Sequence, residues 1–138
     1  VVSVVSAAGL LAVLASLIRT EGAFSGANVA IGAAIGFVVG AYIPIGSLPG
    51  NVQQVLKALP STHSAMLLRQ VMLEGPEATA FAGAPTSVVN DFDQTMGVVF
   101  IINGSQVTPL QSLAYLAVSG IVGFAVAVLV MRLRRKSA

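Results

Sequence analysis

Residues able to do chemistry are few and far apart in this chain. His63 is the only histidine, cysteine is absent, and the acidic residues are Glu21, Glu74, Glu77, Asp91 and Asp93. Without thiols, disulfides and thiolate metal sites are excluded, and a metal cluster or charge relay on His63 would have to recruit carboxylates from the Glu74–Asp93 stretch. The spacing instead predicts Thr62 and His63 in the first turn of a short helix, with the imidazole at an interface. No Gly-x-x-x-x-Gly-Lys-[Ser/Thr] loop occurs, and the only lysines, Lys57 and Lys136, follow no glycine-rich turn, so a phosphate cradle is not expected. No catalytic residue, metal or cofactor is therefore assigned to the chain, and enzymatic activity is not expected of it. Arg69 stands out because it falls on a semi-apolar helix, where a guanidinium needs a carboxylate, phosphate or carbonyl partner. Glu74 or Glu77, a lipid headgroup and a neighbouring helix are the candidates, and bracing that helix is the expected role.

The elements that must position these residues belong to a membrane. Of 138 residues, 56% are hydrophobic and 9% charged, and the mean hydropathy is +0.91, which no ordinary soluble domain matches. Charges are absent from Val1 to Ile18, from Gly22 to Leu56 and from Gln94 to Met131. A hydrocarbon core of about 30 Å needs about 20 apolar residues of helix, so the windows predict three spans, at about 1–18, 27–45 and 110–131. With no tryptophan, any interfacial aromatic belt rests on Tyr and Phe. The first span begins hydrophobic and without Met, which reads as a cut through a longer protein rather than a signal peptide with a basic start.

Basic residues set the expected orientation. Arg19, after the first span, and Arg132, Arg134, Arg135 and Lys136 in the tail 132–138 share one side, whereas the segment 46–109 carries only Lys57 and Arg69. The side richer in Lys and Arg is cytoplasmic by the positive-inside rule, which puts the C-terminus in the cytoplasm and 46–109 outside. The formal charge of +2 is thus concentrated in a short tail, and nucleic acid is not an expected partner. In this arrangement Ser25 and His63 lie at opposite membrane faces, too far apart for an intramembrane serine protease.

The outer segment is too long for a turn and needs structure of its own. Two short amphipathic helices are expected: Asn51–Leu59, with Val52, Val55, Leu56 and Leu59 on one stripe, and Ser61–Glu74, with Ala65, Leu68 and Met72 on one face. Pro49-Gly50-Asn51 and Pro60-Ser61-Thr62 supply the starts. Each helix is too short to cross a bilayer and must lie in the interface or enter it as a re-entrant piece. Residues 75–94 are expected to be an exposed loop, and 96–102 fits a short strand, a buried helical turn or the shoulder of the third span. Gly32, Gly36 and Gly40 recur every four residues in the second span and predict a helix-packing face, either within the subunit or along a dimer seam. Ser119, Gly120 and Gly123 form a weaker version in the third span.

Gly40-Ala41-Tyr42-Ile43-Pro44-Ile45, then Leu48-Pro49, Val52-Gln53-Gln54-Val55, Leu59-Pro60 and Leu68-Arg69-Gln70 resemble the C-terminal half of the membrane subunit of bacterial type-two ABC exporters. The resemblance covers the whole chain in topology, and its specific part is Gly40 to Arg69. It implies an all-α integral membrane fold, in which 1–138 is a partial transmembrane permease domain of the bacterial plasma membrane. It also implies a second permease copy, identical or paralogous, an ATP-binding partner subunit that hydrolyses ATP, and outward movement of a drug, lipid, peptide or similar substrate. The inward connection at Arg19, Glu21 and Phe24 becomes the expected contact with the ATPase subunit, its simpler role being a solvated connector capped by Ser25 or Asn28. The alternative is a small oligomeric channel or secondary transporter without an ATPase, although no ionisable residue lies mid-span, where ion-coupled transporters usually need one.

Overall fold

The computed structural model describes residues 1–102 and 104–135. Residues 136–138 of the expected tail, Lys136 among them, lie outside the described residues. Among the described residues the structure is mostly helical, with six helices. These are α1 (Val2–Leu17), α2 (Glu21–Val38), α3 (Gly50–Lys57), α4 (Pro60–Ala80), α5 (Thr86–Met96) and α6 (Pro109–Arg135), with a 3-10 turn at Ile45–Ser47. A minimal antiparallel hairpin, β1 (Ile101–Ile102) with β2 (Ser105–Gln106), precedes α6 in the register Ile101↔Gln106 and Ile102↔Ser105. Of the readings open for 96–102, the strand is thus realised, at its end.

Among the described residues two helices, α2 and α6, are long and apolar enough to cross a membrane. The window expected as the first span is a helix, α1, whose 16 residues reach about 24 Å at 1.5 Å per residue, shorter than the two candidate spans. The second is shifted relative to expectation, starting at Glu21 and ending at Val38 instead of covering 27–45. Thr20, not Ser25 or Asn28, is its N-cap and accepts from the Ala23 amide at 3.3 Å. Glu21 follows in the first turn, where a carboxylate complements the positive end of the helix dipole. At the other end Gly40 adopts φ 73° and turns the chain out of the helix, while the Ala41 amide bonds back to the Gly36 carbonyl at 2.8 Å. The expected inward loop thereby contracts to the few residues between α1 and α2.

The segment 46–109 holds three helices where two were expected. α3 and the start of α4 fall close to their expected places, but α4 continues past Glu74 and through Pro76 to Ala80. Residues 75–94 are therefore largely helix rather than loop. Val88, Phe92 and Met96 fall on one stripe of α5, which Pro85 opens and Gly97, at φ 72°, closes. Phe81 at the end of α4 packs on Phe92 with ring centroids 5.0 Å apart.

α1 and α6 run parallel, because contacts advance together along both: Ser6 meets Ser119, Gly9 lies against Gly120 and Gly123, and Leu17 meets Arg134. A Cβ at Gly9 would stand 2.7 Å from the Gly120 carbonyl oxygen, and one at Gly123 would stand 2.7 Å from the Gly9 carbonyl carbon. Only glycine permits that approach. Near the start of α6, a small core of Ile45, Met66 and Phe100 joins the proline-rich turn, α4 and the hairpin.

Beside that small apolar core, several polar side chains are buried and many large apolar ones are exposed. Ser6, Thr62, His63 and Ser112 are buried, while Val55, Leu68, Val71, Met72, Leu110 and Ile121 are exposed. The apolar stripes expected on α3 and α4 are only partly covered: Val52 and Val55 on α3, and Leu68 and Met72 on α4, are exposed, while Leu56, Leu59 and Ala65 are half-buried. α2 has no buried residue at all. Such a surface is costly in water and natural in hydrocarbon, where polar groups must find partners inside the protein.

Candidate functional site

Two polar joints and one groove concentrate the chain's chemistry. Arg69, near the middle of α4, reaches the end of α2. Its Nη2 donates to the carbonyls of Val39 at 2.7 Å and Gly40 at 2.9 Å. Those carbonyls have no helical partner beyond Val38, so the guanidinium satisfies them and places its charge at the negative end of the helix dipole. Of the partners expected for Arg69, its Nη2 thus meets backbone carbonyls at the end of a neighbouring helix and neither Glu74 nor Glu77. Burial lowers the Arg69 pKa, but a guanidinium remains charged. Its buried Nη1 has no partner among the described residues. The adjacent Gln70 donates to the Val98 carbonyl at 2.8 Å, tying α4 to the segment that leads into the hairpin.

His63 forms the second joint. Its imidazole is only 5% exposed, so it does not sit at the interface as the sequence suggested. Nε2 lies 2.9 Å from the Lys57 carbonyl, and Nδ1 lies 3.0 Å from the Ser112 hydroxyl. A carbonyl can only accept, so the proton belongs on Nε2, and the neutral ring accepts at Nδ1 from Ser112. Phe100 meets the ring edge-on at 5.7 Å and Tyr115 lies tilted at 4.7 Å. The Tyr115 hydroxyl adds a bond to the Ala58 carbonyl. α3, α4 and the first turns of α6 therefore meet at one histidine. Burial lowers its pKa, the bond to the Lys57 carbonyl opposing that shift.

The groove lies between α1, α2 and the start of α4, with a volume of about 540 Å³. Leu10, Leu11, Ile31 and Ile35 form its walls, and Ser61 and Ser64 of α4 border it. This size falls within the range of small-molecule pockets, and its walls are suited to an apolar guest.

The glycines expected to make a packing face are distributed among different roles. Gly32 has open space where a Cβ would stand, Gly36 faces the Tyr42 ring, and Gly40 is the turn that ends α2, against Ile45 and Arg69. Within this chain the close helix contact uses Ser6 and Gly9 with Ser119, Gly120 and Gly123, the pattern that looked weaker. Ser6 escaped notice because a three-residue spacing of one serine and one glycine is common by chance. Arg19, Glu21 and Phe24 are exposed together at the α1–α2 junction. Arg134 reaches that end, where its Nη2 donates to the Leu17 carbonyl at 2.9 Å.

A further pair went unread in the sequence. Glu77 of α4 faces Asp93 of α5, each with one buried carboxylate oxygen, so that a proton on Glu77 can bridge the two carboxyls. Burial, and then the Asp93 charge, raise the Glu77 pKa. Among the described residues no group of three or more His, Cys, Asp or Glu is placed to hold a metal ion. No protein-family profile, no curated protein and no solved structure matches this chain.

Proposed function

We propose that this chain is the membrane-spanning part of an ATP-driven exporter, a permease of the type-two ABC kind that moves a drug, lipid, peptide or similar substrate outward. The exposed apolar surface of α2 and α6 carries the membrane part of the reading, because helices long and apolar enough to cross a bilayer that leave Val29, Ile35, Ile121 and Leu129 exposed are matched to lipid. The transport part rests on the Gly40–Arg69 resemblance, supported by the groove beside α2 and by the absence from the sequence of a phosphate-binding loop. In this reading α1, α2 and α6 cross the bilayer, α1 and α6 in the same direction. Arg19 and the basic tail lie in the cytoplasm, and α3 to α5 form a cap at the outer surface. The exposed junction at Arg19, Glu21 and Phe24 is then the face offered to an ATP-binding subunit, and the open glycine at position 32 is available to a second permease copy.

The power stroke would come from the partner, and this chain would supply the path and the coupling. Its two joints are suited to coupling. Arg69 ties the end of α2 to the cap, and His63 ties the cap to α6, so displacement of a span is transmitted to the outer helices. Affinity purification of the native protein from its own membranes tests the reading. Co-purification of an ATPase subunit whose hydrolysis drives export is the expected result. A protein that purifies alone and conducts ions in liposomes would establish the channel instead.

A further inference from the structure

We propose that His63 is a proton-sensitive latch, which holds the α3–α4 hairpin onto the first turns of α6 when neutral and releases it when protonated. Both ring nitrogens are already committed, with Nε2–H donating to the Lys57 carbonyl and Nδ1 accepting from Ser112. A proton on Nδ1 turns that acceptor into a donor. The Ser112 hydroxyl must then reverse its bond and find another acceptor for its own hydrogen.

Neither ring nitrogen meets a carboxylate, and the acidic residue of α5 that comes toward this region, Asp91, lines a cleft with Lys57 rather than with His63. α3 contributes Lys57, a second cation, whose ammonium lies 5.9 Å above the Phe100 ring that His63 also touches. α6 contributes Tyr115 and has no acidic residue along its whole length, and residues 97–108, which include Phe100, contain no ionisable residue. On α4 itself the nearest carboxylate in sequence is Glu74, eleven residues along and about 16 Å away at helical rise. A buried imidazolium with no anion against its ring nitrogens is disfavoured by desolvation. Opening the joint lets water reach the ring and relieves this. The structure offers a route for that opening, since a cleft of about 440 Å³ bordered by His63, Lys57, Gln111 and Tyr115 lies beside the latch.

The sign follows from the linkage of proton binding to structure. The latched state binds the proton less tightly than the open one, so latching is fully favourable above the ordinary histidine pKa of about 6.5 and weakens as pH falls through the lowered value. Because the chain has no cysteine, spin labels can be placed cleanly at Gln54→Cys on α3 and Leu110→Cys on α6, in protein reconstituted into lipid nanodiscs. The expected result is a narrow label-to-label distance at pH 8 that lengthens or broadens as pH falls below about 6.5, in step with titration of the His63 ring nitrogens by 15N NMR. At high pH the same spectra are expected to show the Nε2–H tautomer. His63→Gln is expected to abolish the pH response. Ser112→Ala, which takes away only the donor to the neutral ring, is expected to move the midpoint upward by roughly half to one pH unit. An acid response that persists in His63→Gln would overturn the latch, as would a His63 that titrates with no change in distance. Should His63→Gln fail to fold, the direction of the Ser112→Ala shift decides, since an unmoved or lowered midpoint refutes the proposal.

Discussion

At the scale of single residues, the side chains that matter are polar groups with defined backbone partners. Arg69 donates two charge-assisted bonds to the end of α2. Arg69→Ala is expected to destabilise that junction by about 2 kcal/mol, the order of one or two such bonds at a half-buried site. Proteolysis between Tyr42 and Leu48 should accelerate, and if the chain is the proposed permease, export should fall while nucleotide binding by the proposed partner stays intact. Arg69→Lys should restore only part of the loss, because an ammonium lacks the planar fork of the guanidinium. Unchanged proteolysis and export in Arg69→Ala would refute the brace. Glu77 offers a second check through pH. Its raised pKa means that the folded state holds the proton more tightly, so this group's contribution is full below the unfolded carboxylate value and is lost as pH rises through the folded one. Glu77→Gln is therefore expected to raise the thermal midpoint at pH 8 and leave it nearly unchanged at pH 4, read by differential scanning fluorimetry. The need of Arg69 for a partner was legible in the sequence, since a lone guanidinium on a semi-apolar helix demands an acceptor. Its acceptors were not, because carbonyls at the end of another helix leave no mark on the residue pattern.

At the scale of elements, α1 and α6 show why close helix contact depends on what lies opposite. Gly9, Gly120 and Gly123 bring two backbones together, and the Ser6 and Ser119 hydroxyls, 2.7 Å apart, bond across the seam. Gly9→Leu is expected to separate the pair at a cost of about 1–3 kcal/mol, the usual range for overpacking, visible as lost α1–α6 cysteine crosslinking. Gly32→Leu, on open surface, should leave that crosslinking unchanged. A double-mutant cycle on Ser6→Ala and Ser119→Ala should give a coupling of about 0.6 kcal/mol, typical of hydrogen bonds between membrane helices. Sequence periodicity favoured the run at Gly32, Gly36 and Gly40 because four-residue spacing is regular, yet regularity says nothing about the opposing surface. α5 was hidden by its flanks. Gly75, Pro76, Gly83 and Pro85 read as loop, while the stripe Val88, Phe92 and Met96 needed Phe81 of α4 to give it something to pack on.

At the scale of the whole molecule, α6 separates the two chemistries of the chain. His63 contacts its beginning through Ser112, and Arg134 lies near its end. The 22 helical steps from Ser112 to Arg134 span about 33 Å, close to the thickness of a hydrocarbon core. Single cysteines at Gln54 and at Arg132, labelled with a membrane-impermeant reagent in intact and opened vesicles, are expected to report opposite faces. Labelling from the same face would remove the proposed orientation and the exporter reading with it. Composition and charge placement were enough to mark the apolar windows and gather the basic residues at one end, because hydropathy and the positions of arginines are properties of the chain itself. Only the folded molecule decided that α1 and α6 run side by side through glycines, that the apolar stripes of α3 and α4 are only partly covered, and that a lone histidine joins three helices. Each of these depends on what residues distant in sequence place opposite one another, and no local pattern records that.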